Sequence, residues 1–123
     1  MDENTRTIIE FPLDADGDAL RRIQTAGSDM SRPMLIDFSV AVPSEAAADN
    51  CVGRLLSRDF VSSKSHDSTE DAWTVLVSVD MVPDYQEITF FQQVLDRDLS
   101  QFGAATDGWG TFGNADRMPV NEG

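Results

Sequence analysis

Two stretches of alternating apolar and polar residues constrain this chain most, because each predicts a strand with one buried face. The first runs from Met34 to Val42 and the second from Trp73 to Met81. Side chains at every second position of a strand point to the same side, so strict alternation is typical of a half-buried strand. Leu76 is the one apolar residue on the outer side of the second stretch. The chain must therefore cover one face of a sheet with another layer.

Helical periodicity around these strands predicts that covering layer. Ser44 is a suitable N-terminal cap for a helix ending near Arg58. Asp84, with Glu87 three residues later, resembles a capping box at the start of a longer helix that stops at Gly103. Both segments repeat apolar residues three and four positions apart, so each is expected to pack one side on the sheet.

Three weaker elements complete the predicted order. We expect a short helix from about Asp16 to Gly27, an edge strand from Phe60 to Ser65, and a last strand around Ala104 to Phe112. The fold class predicted is α+β: a ferredoxin-like βαββαβ two-layer sandwich with a four-stranded antiparallel sheet and an extra N-terminal helix.

The length of 123 residues fits one domain with its own core. We expect an extended N-terminal arm over residues 1–15, a single domain over residues 16–113, and a flexible tail over residues 114–123. Apolar runs are too short to cross a bilayer, and no signal-peptide core follows the acidic start from Met1 to Asn4. The sequence predicts a cytoplasmic protein that does not bind membranes.

Acidic residues dominate the charge: 22 Asp and Glu stand against 9 Lys and Arg, for a net charge of −13. Affinity for nucleic acid comes mainly from Lys and Arg that neutralise phosphates, so direct binding of nucleic acid is not expected. An acidic surface steers basic proteins toward it, most strongly at low salt. The composition indicates a basic protein surface as the partner, although solubility is an equally good reason for many of these carboxylates.

Candidate catalytic residues are few. Cys51 is the only cysteine and lies in a helical pattern, which excludes an internal disulfide and indicates a small packed residue. His66 is the only histidine and lies in a predicted turn beside Ser65 and Asp67. Because no nucleophile and base are brought together by the sequence, we predict no enzymatic activity and no catalytic residue.

The acidic run from Asp14 to Asp18 resembles the start of a calcium-binding loop. An EF-hand loop needs Gly at its sixth position and Glu at its twelfth, and those places hold Ala19 and Thr25. A helix-capping turn explains the run better, with Asp16 or Asp18 as the cap. We therefore predict no metal and no cofactor.

The pentapeptide Asp107-Gly108-Trp109-Gly110-Thr111 places a large aromatic side chain between two glycines, just after the long helix. Glycine weakens a strand interior and often marks a bulge or a close approach by another chain. Trp109 has two interpretations that the sequence leaves open: a core residue at the sheet edge, or a contact for a partner.

The stretch from Asp18 to Phe112 resembles the RraB family of regulators of ribonuclease E. The resemblance is carried by residues 107–111, by the Ser28-Asp29-x-Ser31-x-Pro33 approach to the first strand, and by the alternation from Trp73 to Met81. It implies a ferredoxin-like fold in a bacterial, non-enzymatic protein that binds ribonuclease E and restrains RNA processing and decay. We expect the partner-binding residues to be Asp107, Gly108, Trp109, Gly110 and Thr111, together with the acidic Asp80, Asp84 and Glu87.

Two other functions stay open at this level. Ferredoxin-like domains also serve as small-molecule-sensing modules, which would require a concave apolar pocket with a few polar groups. The acidic composition equally fits a neutralising partner of a different basic nuclease or toxin. The sequence does not predict an oligomeric state.

Overall fold

Three α-helices and four strands lie within residues 10–114, the part of the chain that this computed structural model describes. The elements in chain order are α1 (Ala15–Thr25), β1 (Met34–Val42), α2 (Glu45–Ser57), β2 (Val61–Asp67), β3 (Ala72–Met81), α3 (Tyr85–Leu99), a short 3-10 helix (Ser100–Phe102) and β4 (Ala105–Thr111). The predicted α+β class is confirmed, and the alternating stretches are the two longest strands.

The four strands form one sheet in the order β2-β3-β1-β4, and every neighbouring pair is antiparallel. β1 is therefore central, and Phe38 on it lies between Val77 of β3 and Trp109 of β4. Residues directly opposite each other share a face, so these three side chains point to the same side of the sheet. β2 and β4 are the two edges.

One hydrophobic core lies between that face of the sheet and the helices. Its largest fully buried apolar side chains are Phe38, Leu20, Met34, Ile36, Leu55, Ile88, Leu95, Leu99, Val40, Val75 and Val77. Burying each of the larger ones stabilises the fold by roughly 1.5–3 kcal/mol. Phe91 of α3 packs on Phe38 with ring centroids 4.7 Å apart. The predicted inward faces of both long strands are thus the ones that build the core.

Two predicted helix caps are confirmed. Ser44 Oγ accepts a hydrogen bond from the Ala47 amide at 3.1 Å, and Asp84 Oδ2 accepts one from the Glu87 amide at 3.1 Å. Gly103 follows the 3-10 helix with a φ of 78°, a left-handed conformation that glycine adopts without strain. The bonds to Ser44 and Asp84 each satisfy an amide that has no partner within its own helix.

The cap of α1 differs from the prediction. Asp14, rather than Asp16 or Asp18, is the N-terminal cap, and its Oδ1 accepts a bond from the Gly17 amide at 2.8 Å. The chain passes close to this turn, since a Cβ on Gly17 would lie 1.8 Å from the Pro12 oxygen. Asp16 and Asp18 instead occupy the first turn, where carboxylates interact favourably with the helix dipole.

His66 also differs from the prediction, because it lies in a strand and not in a turn. β2 pairs with β3 as far as Asp67, so the turn is confined to the residues that follow. The imidazole stacks on Trp73 with ring centroids 4.4 Å apart, and Nε2 lies 2.9 Å from Asp71 Oδ1. Its place on the inner side of an edge strand follows from pairing with Trp73.

The predicted arm and tail fall mostly on residues 1–9 and 115–123, which lie outside the described residues. Within the described part, the Phe11 carbonyl accepts a bond of 2.9 Å from Arg21, and the Phe11 side chain packs against the core. Asn114, predicted to begin the polar tail, has only 2% of its surface exposed. The ordered packing therefore extends through Asn114.

Candidate partner-binding surface

A β-bulge in β4 explains the first glycine of the pentapeptide. The register between β1 and β4 shifts after Phe38, which pairs with Trp109, while Val40 pairs with Thr106. Two residues, Asp107 and Gly108, therefore lie opposite one residue of β1. Gly108 has a φ of 89°, a conformation that other L-residues rarely adopt. Because of this extra residue in β4, the side chain of Trp109 points to the core side of the sheet.

Trp109 is half-buried and is fixed by a polar contact as well as by packing. Its side chain packs against the core, and its Nε1 donates a hydrogen bond of 2.9 Å to Asp16 Oδ1. The other Asp16 oxygen accepts a bond of 3.1 Å from Gln92 Nε2 on α3. Asp16 thus joins α1 to both α3 and β4, a role that supports the core interpretation of Trp109.

The start of α1 is held to α3 by a second carboxylate. The Tyr85 hydroxyl donates a hydrogen bond to Asp14 Oδ2, while the Gly17 amide bonds the other oxygen. The bond from Tyr85, followed by the one from the Gly17 amide, lowers the pKa of Asp14. Part of the acidic run from Asp14 to Asp18 is therefore committed to internal contacts and is not available to a partner.

Asn114 joins the end of β4 to the loop before β1. Its Oδ1 accepts a bond of 2.8 Å from the Asp29 amide, and its amide nitrogen donates one of 2.9 Å to the Asp29 carbonyl. Its backbone N–H donates to Ser28 Oγ at 3.2 Å. The sequence analysis did not predict a role for Asn114. The neighbouring Gly113 is the one local sign of this close packing, because a Cβ there would lie 2.2 Å from Ser28 Oγ.

The face of the sheet opposite the helices is open and acidic. Strand alternation and register place these residues on it: Leu35, Asp37, Ser39, Ala41, Val61, Ser63, Ser65, Asp67, Ala72, Thr74, Leu76, Ser78, Asp80, Asp107 and Gly110. None of these outward strand positions is Lys or Arg. Leu35 is 43% exposed there, so the surface combines carboxylates with apolar side chains. A surface of one charge sign attracts a partner of the opposite sign.

Several basic side chains lie on the helix side of the sheet and are paired there. Lys64 Nζ lies 2.8 Å from both Glu45 Oε2 and Asp49 Oδ1 on α2. Arg58 and Arg54 both contact Asp98 at 2.9 Å, and the hydrogen bonds from Arg58 and then Arg54 lower the pKa of that carboxyl. These cations therefore do not offset the carboxylates of the open face at short range.

Comparison with protein families gives one decisive match: residues 13–111 match RraB, described as regulator of ribonuclease activity B. The chain belongs to the RraB family. The matched segment contains every helix and strand that the structure describes, from α1 to β4. A search of curated proteins finds no match. The family consists of regulators rather than enzymes.

The predicted contact residues of this RraB-family chain are distributed over two surfaces. Asp80, Asp107 and Gly110 lie on the open face of the sheet. Trp109 and Thr111 pair with inward residues of β1, and Thr111 Oγ1 donates to the Leu35 carbonyl at 2.6 Å. Gly108 forms the bulge between them. Their part in binding a partner stays a prediction.

Asp84 and Glu87 belong to the helix layer of the RraB domain. Asp84 caps α3, so its Oδ2 is engaged with the Glu87 amide. Glu87 is exposed in the first turn of α3, where a carboxylate stabilises the helix. The structure therefore does not combine these two acids with Asp107 on one flat surface, and the sequence held no signal that would separate them.

The described part of this RraB domain contains a groove but no cluster of metal ligands. A groove of about 290 Å³ lies between α1 and the end of β4, and is lined by Ile23, Ala26, Trp109 and Phe112 among others. Among residues 10–114, no three His, Cys, Asp or Glu side chains are grouped so that they could hold a metal ion. None of the described helices combines the length and hydrophobicity of a membrane span.

Proposed function

We propose that this protein restrains ribonuclease E by binding it, and thereby modulates RNA processing and decay. The observation that carries the proposal is the family match over residues 13–111, which spans the whole described fold. A regulator of this kind needs a surface for the nuclease and no chemistry of its own. We place its action in the bacterial cytoplasm, in line with the family resemblance.

The charge distribution supports a basic surface on the nuclease as the binding site. The chain has a net charge of −13, and the outward strand positions carry Asp37, Asp67, Asp80 and Asp107 without a Lys or Arg. Segments of a nuclease that hold RNA need Lys and Arg to neutralise phosphates. An acidic domain that binds such a segment competes with RNA for it.

The positions of Cys51 and His66 favour a non-enzymatic role. Cys51 is buried in the core, and burial raises the pKa of its thiol, which keeps it protonated and unreactive. His66 stacks on Trp73 near the surface of edge strand β2. Neither residue contacts the other, so the pairing of nucleophile and base that covalent catalysis requires is not supported.

For the fold we propose the ferredoxin-like arrangement with α1 as an additional N-terminal helix. The sheet order β2-β3-β1-β4 supports it, since α2 connects β1 to β2 and α3 connects β3 to β4 across an intervening strand. α1 packs at the β4 edge through the bond between Asp16 and Trp109. This arrangement leaves the second face of the sheet free for a partner.

Binding of the purified protein to purified ribonuclease E, followed by isothermal titration calorimetry over a series of salt concentrations, tests the proposal. We expect a stoichiometric complex that weakens as salt rises, because screening shortens the reach of surface charges. An unrelated basic nuclease is the control for binding by charge alone. Equal affinity for both nucleases would assign the protein to a general neutralising role instead, and no binding to ribonuclease E would reject the proposal.

A further inference from the structure

We propose that an arginine side chain of the nuclease lies in the depression on the open face above Gly110, between Asp37 and Asp107. The inference rests on the proposed function and specifies where and by what chemistry the contact is made. The occupant is an extended basic segment, and the guanidinium is the group that is recognised. Three features of the depression carry the argument: its bare floor, its charges and its apolar rim.

The floor is bare because of Gly110. This glycine pairs with Asp37, whose side chain points away from the helices, so a side chain at position 110 would point the same way. A Cβ there would meet no atom within 4 Å, and its φ is not positive. The packing of this chain therefore does not require a glycine at that place. The missing side chain leaves a depression of about 440 Å³ on the open face.

The charges of the depression are negative and only partly engaged. Asp37 Oδ1 accepts a bond of 2.6 Å from Ser78 Oγ, which fixes the carboxylate in place. Asp107 is exposed, and its carboxylate makes no hydrogen bond or ion pair within residues 10–114. Both residues line the depression, and no Lys or Arg lines it. The depression therefore favours a cation from outside the chain.

The rim favours arginine over lysine. Leu76 and Phe112 line the same depression, and Phe112 is 95% exposed. The guanidinium is planar, is weakly hydrated, stacks on aromatic rings and offers a fork of donors to carboxylates, whereas the ammonium of lysine is a strongly hydrated point charge. The arginine stem packs on apolar side chains such as Leu76. A single arginine can thus donate hydrogen bonds to the carboxylates of Asp37 and Asp107 while it covers the exposed ring of Phe112.

Filling the depression is the first test. Gly110→Val places a β-branched side chain in open space, and Gly53→Val adds the same side chain on the exposed side of α2, where it also meets no atom within 4 Å. We expect Gly110→Val to weaken ribonuclease E binding by about tenfold or more, and Gly53→Val to change it by less than about twofold. Urea unfolding of both variants shows whether the fold is retained.

Arginine peptides provide a second test that does not depend on the nuclease. A synthetic (Gly-Arg)₄ peptide is titrated into ¹⁵N-labelled protein, with (Gly-Lys)₄ as the matched control. We expect the amide shifts of Ser39, Asp107 and Gly110 to move most, to saturate at lower concentration with the arginine peptide, and to be lost in Gly110→Val. Shifts confined to the helix layer, or equal responses to both peptides, would overturn the inference.

The two proposals fail in different ways. If the wild-type protein binds ribonuclease E and Gly110→Val binds equally well, the depression is not the contact, although the proposed function stands. If wild-type protein does not bind ribonuclease E but the arginine peptide shifts the residues of the depression, the arginine site stands and the arginine comes from another protein.

Asp107→Asn is expected to weaken peptide binding by about threefold or more, while Glu70→Gln in the turn after β2 leaves it unchanged.

Discussion

The indole Nε1 of Trp109 donates a hydrogen bond of 2.9 Å to Asp16 Oδ1, although the two residues lie 93 positions apart in the chain. This bond connects edge strand β4 to the first turn of α1. Gln92 of α3 bonds the other oxygen of the same carboxylate. Asp16 is therefore a structural acid, and the acids that face outward are a different set.

Replacing Trp109 tests that connection. Trp109→Phe keeps a ring and removes the donor, so we expect a loss of about 1 kcal/mol in the free energy of unfolding. Trp109→Ala also removes packing, and a loss of about 2–4 kcal/mol is expected. Urea unfolding measures both. Trp73→Phe is the control, because the Trp73 indole nitrogen makes no hydrogen bond within residues 10–114. A change below about 0.5 kcal/mol in Trp109→Ala would mean that Trp109 is an exposed contact.

The two glycines of the pentapeptide are expected to respond differently to substitution. Gly108→Val forces a branched residue into the left-handed region at φ 89°, at a cost of about 1–3 kcal/mol in stability. Gly110→Val is expected to leave stability unchanged or to raise it slightly, because the strand there has an ordinary φ and open space. Thermal unfolding of the two variants measures these changes in stability. Equal losses for both would show that the bulge is not the reason for Gly108.

Asn114 is expected to be the most sensitive polar residue at the end of the described chain. Asn114→Ala removes the side-chain oxygen that accepts from the Asp29 amide, and we expect a loss of about 2–3 kcal/mol in the free energy of unfolding. Asn50→Ala on the exposed side of α2 is the matched control and is expected to be neutral or slightly stabilising. Hydrogen exchange of the Asp29 amide gives an independent measurement. Unchanged protection of that amide in Asn114→Ala would contradict the account.

Asp98 gives a pH dependence with a defined sign. Its pKa is lowered in the folded state by the hydrogen bonds from Arg58 and Arg54, so its contribution to stability is present above the unfolded pKa, about 4, and is lost as pH falls through the folded pKa. We expect Asp98→Asn to cost about 1 kcal/mol at pH 7. The difference from wild type should shrink steadily below about pH 4. A difference that is constant across this range would mean that the ion pairs contribute nothing.

Much of the fold was predictable because local patterns and tertiary packing agree. The alternation from Met34 to Val42 gave the bounds of β1 as the structure has them, and Ser44, Asp84 and Gly103 marked helix ends where such residues satisfy backbone groups. The cap of α1 is Asp14 and not the predicted Asp16 or Asp18, because three acids in five residues suit the position and contacts from outside the run, such as the bond from Tyr85 to Asp14, are not visible in the local sequence.

The site was predictable only in part, because its contacts join residues far apart in the chain. The pentapeptide indicated a special backbone, and the bulge at Gly108 accounts for it. Nothing local shows that Asp16 meets Trp109, or that Asn114 closes onto Asp29. The depression above Gly110 required the register of β4 on β1, since that register decides which face position 110 occupies.

Cleavage of a defined RNA by purified ribonuclease E, with increasing amounts of this protein, tests the central claim most directly. We predict that cleavage slows in proportion to the complex formed, that added salt relieves the inhibition, and that the protein alone leaves the RNA intact. Undiminished cleavage at saturating protein, or turnover of the RNA by the protein itself, would contradict it.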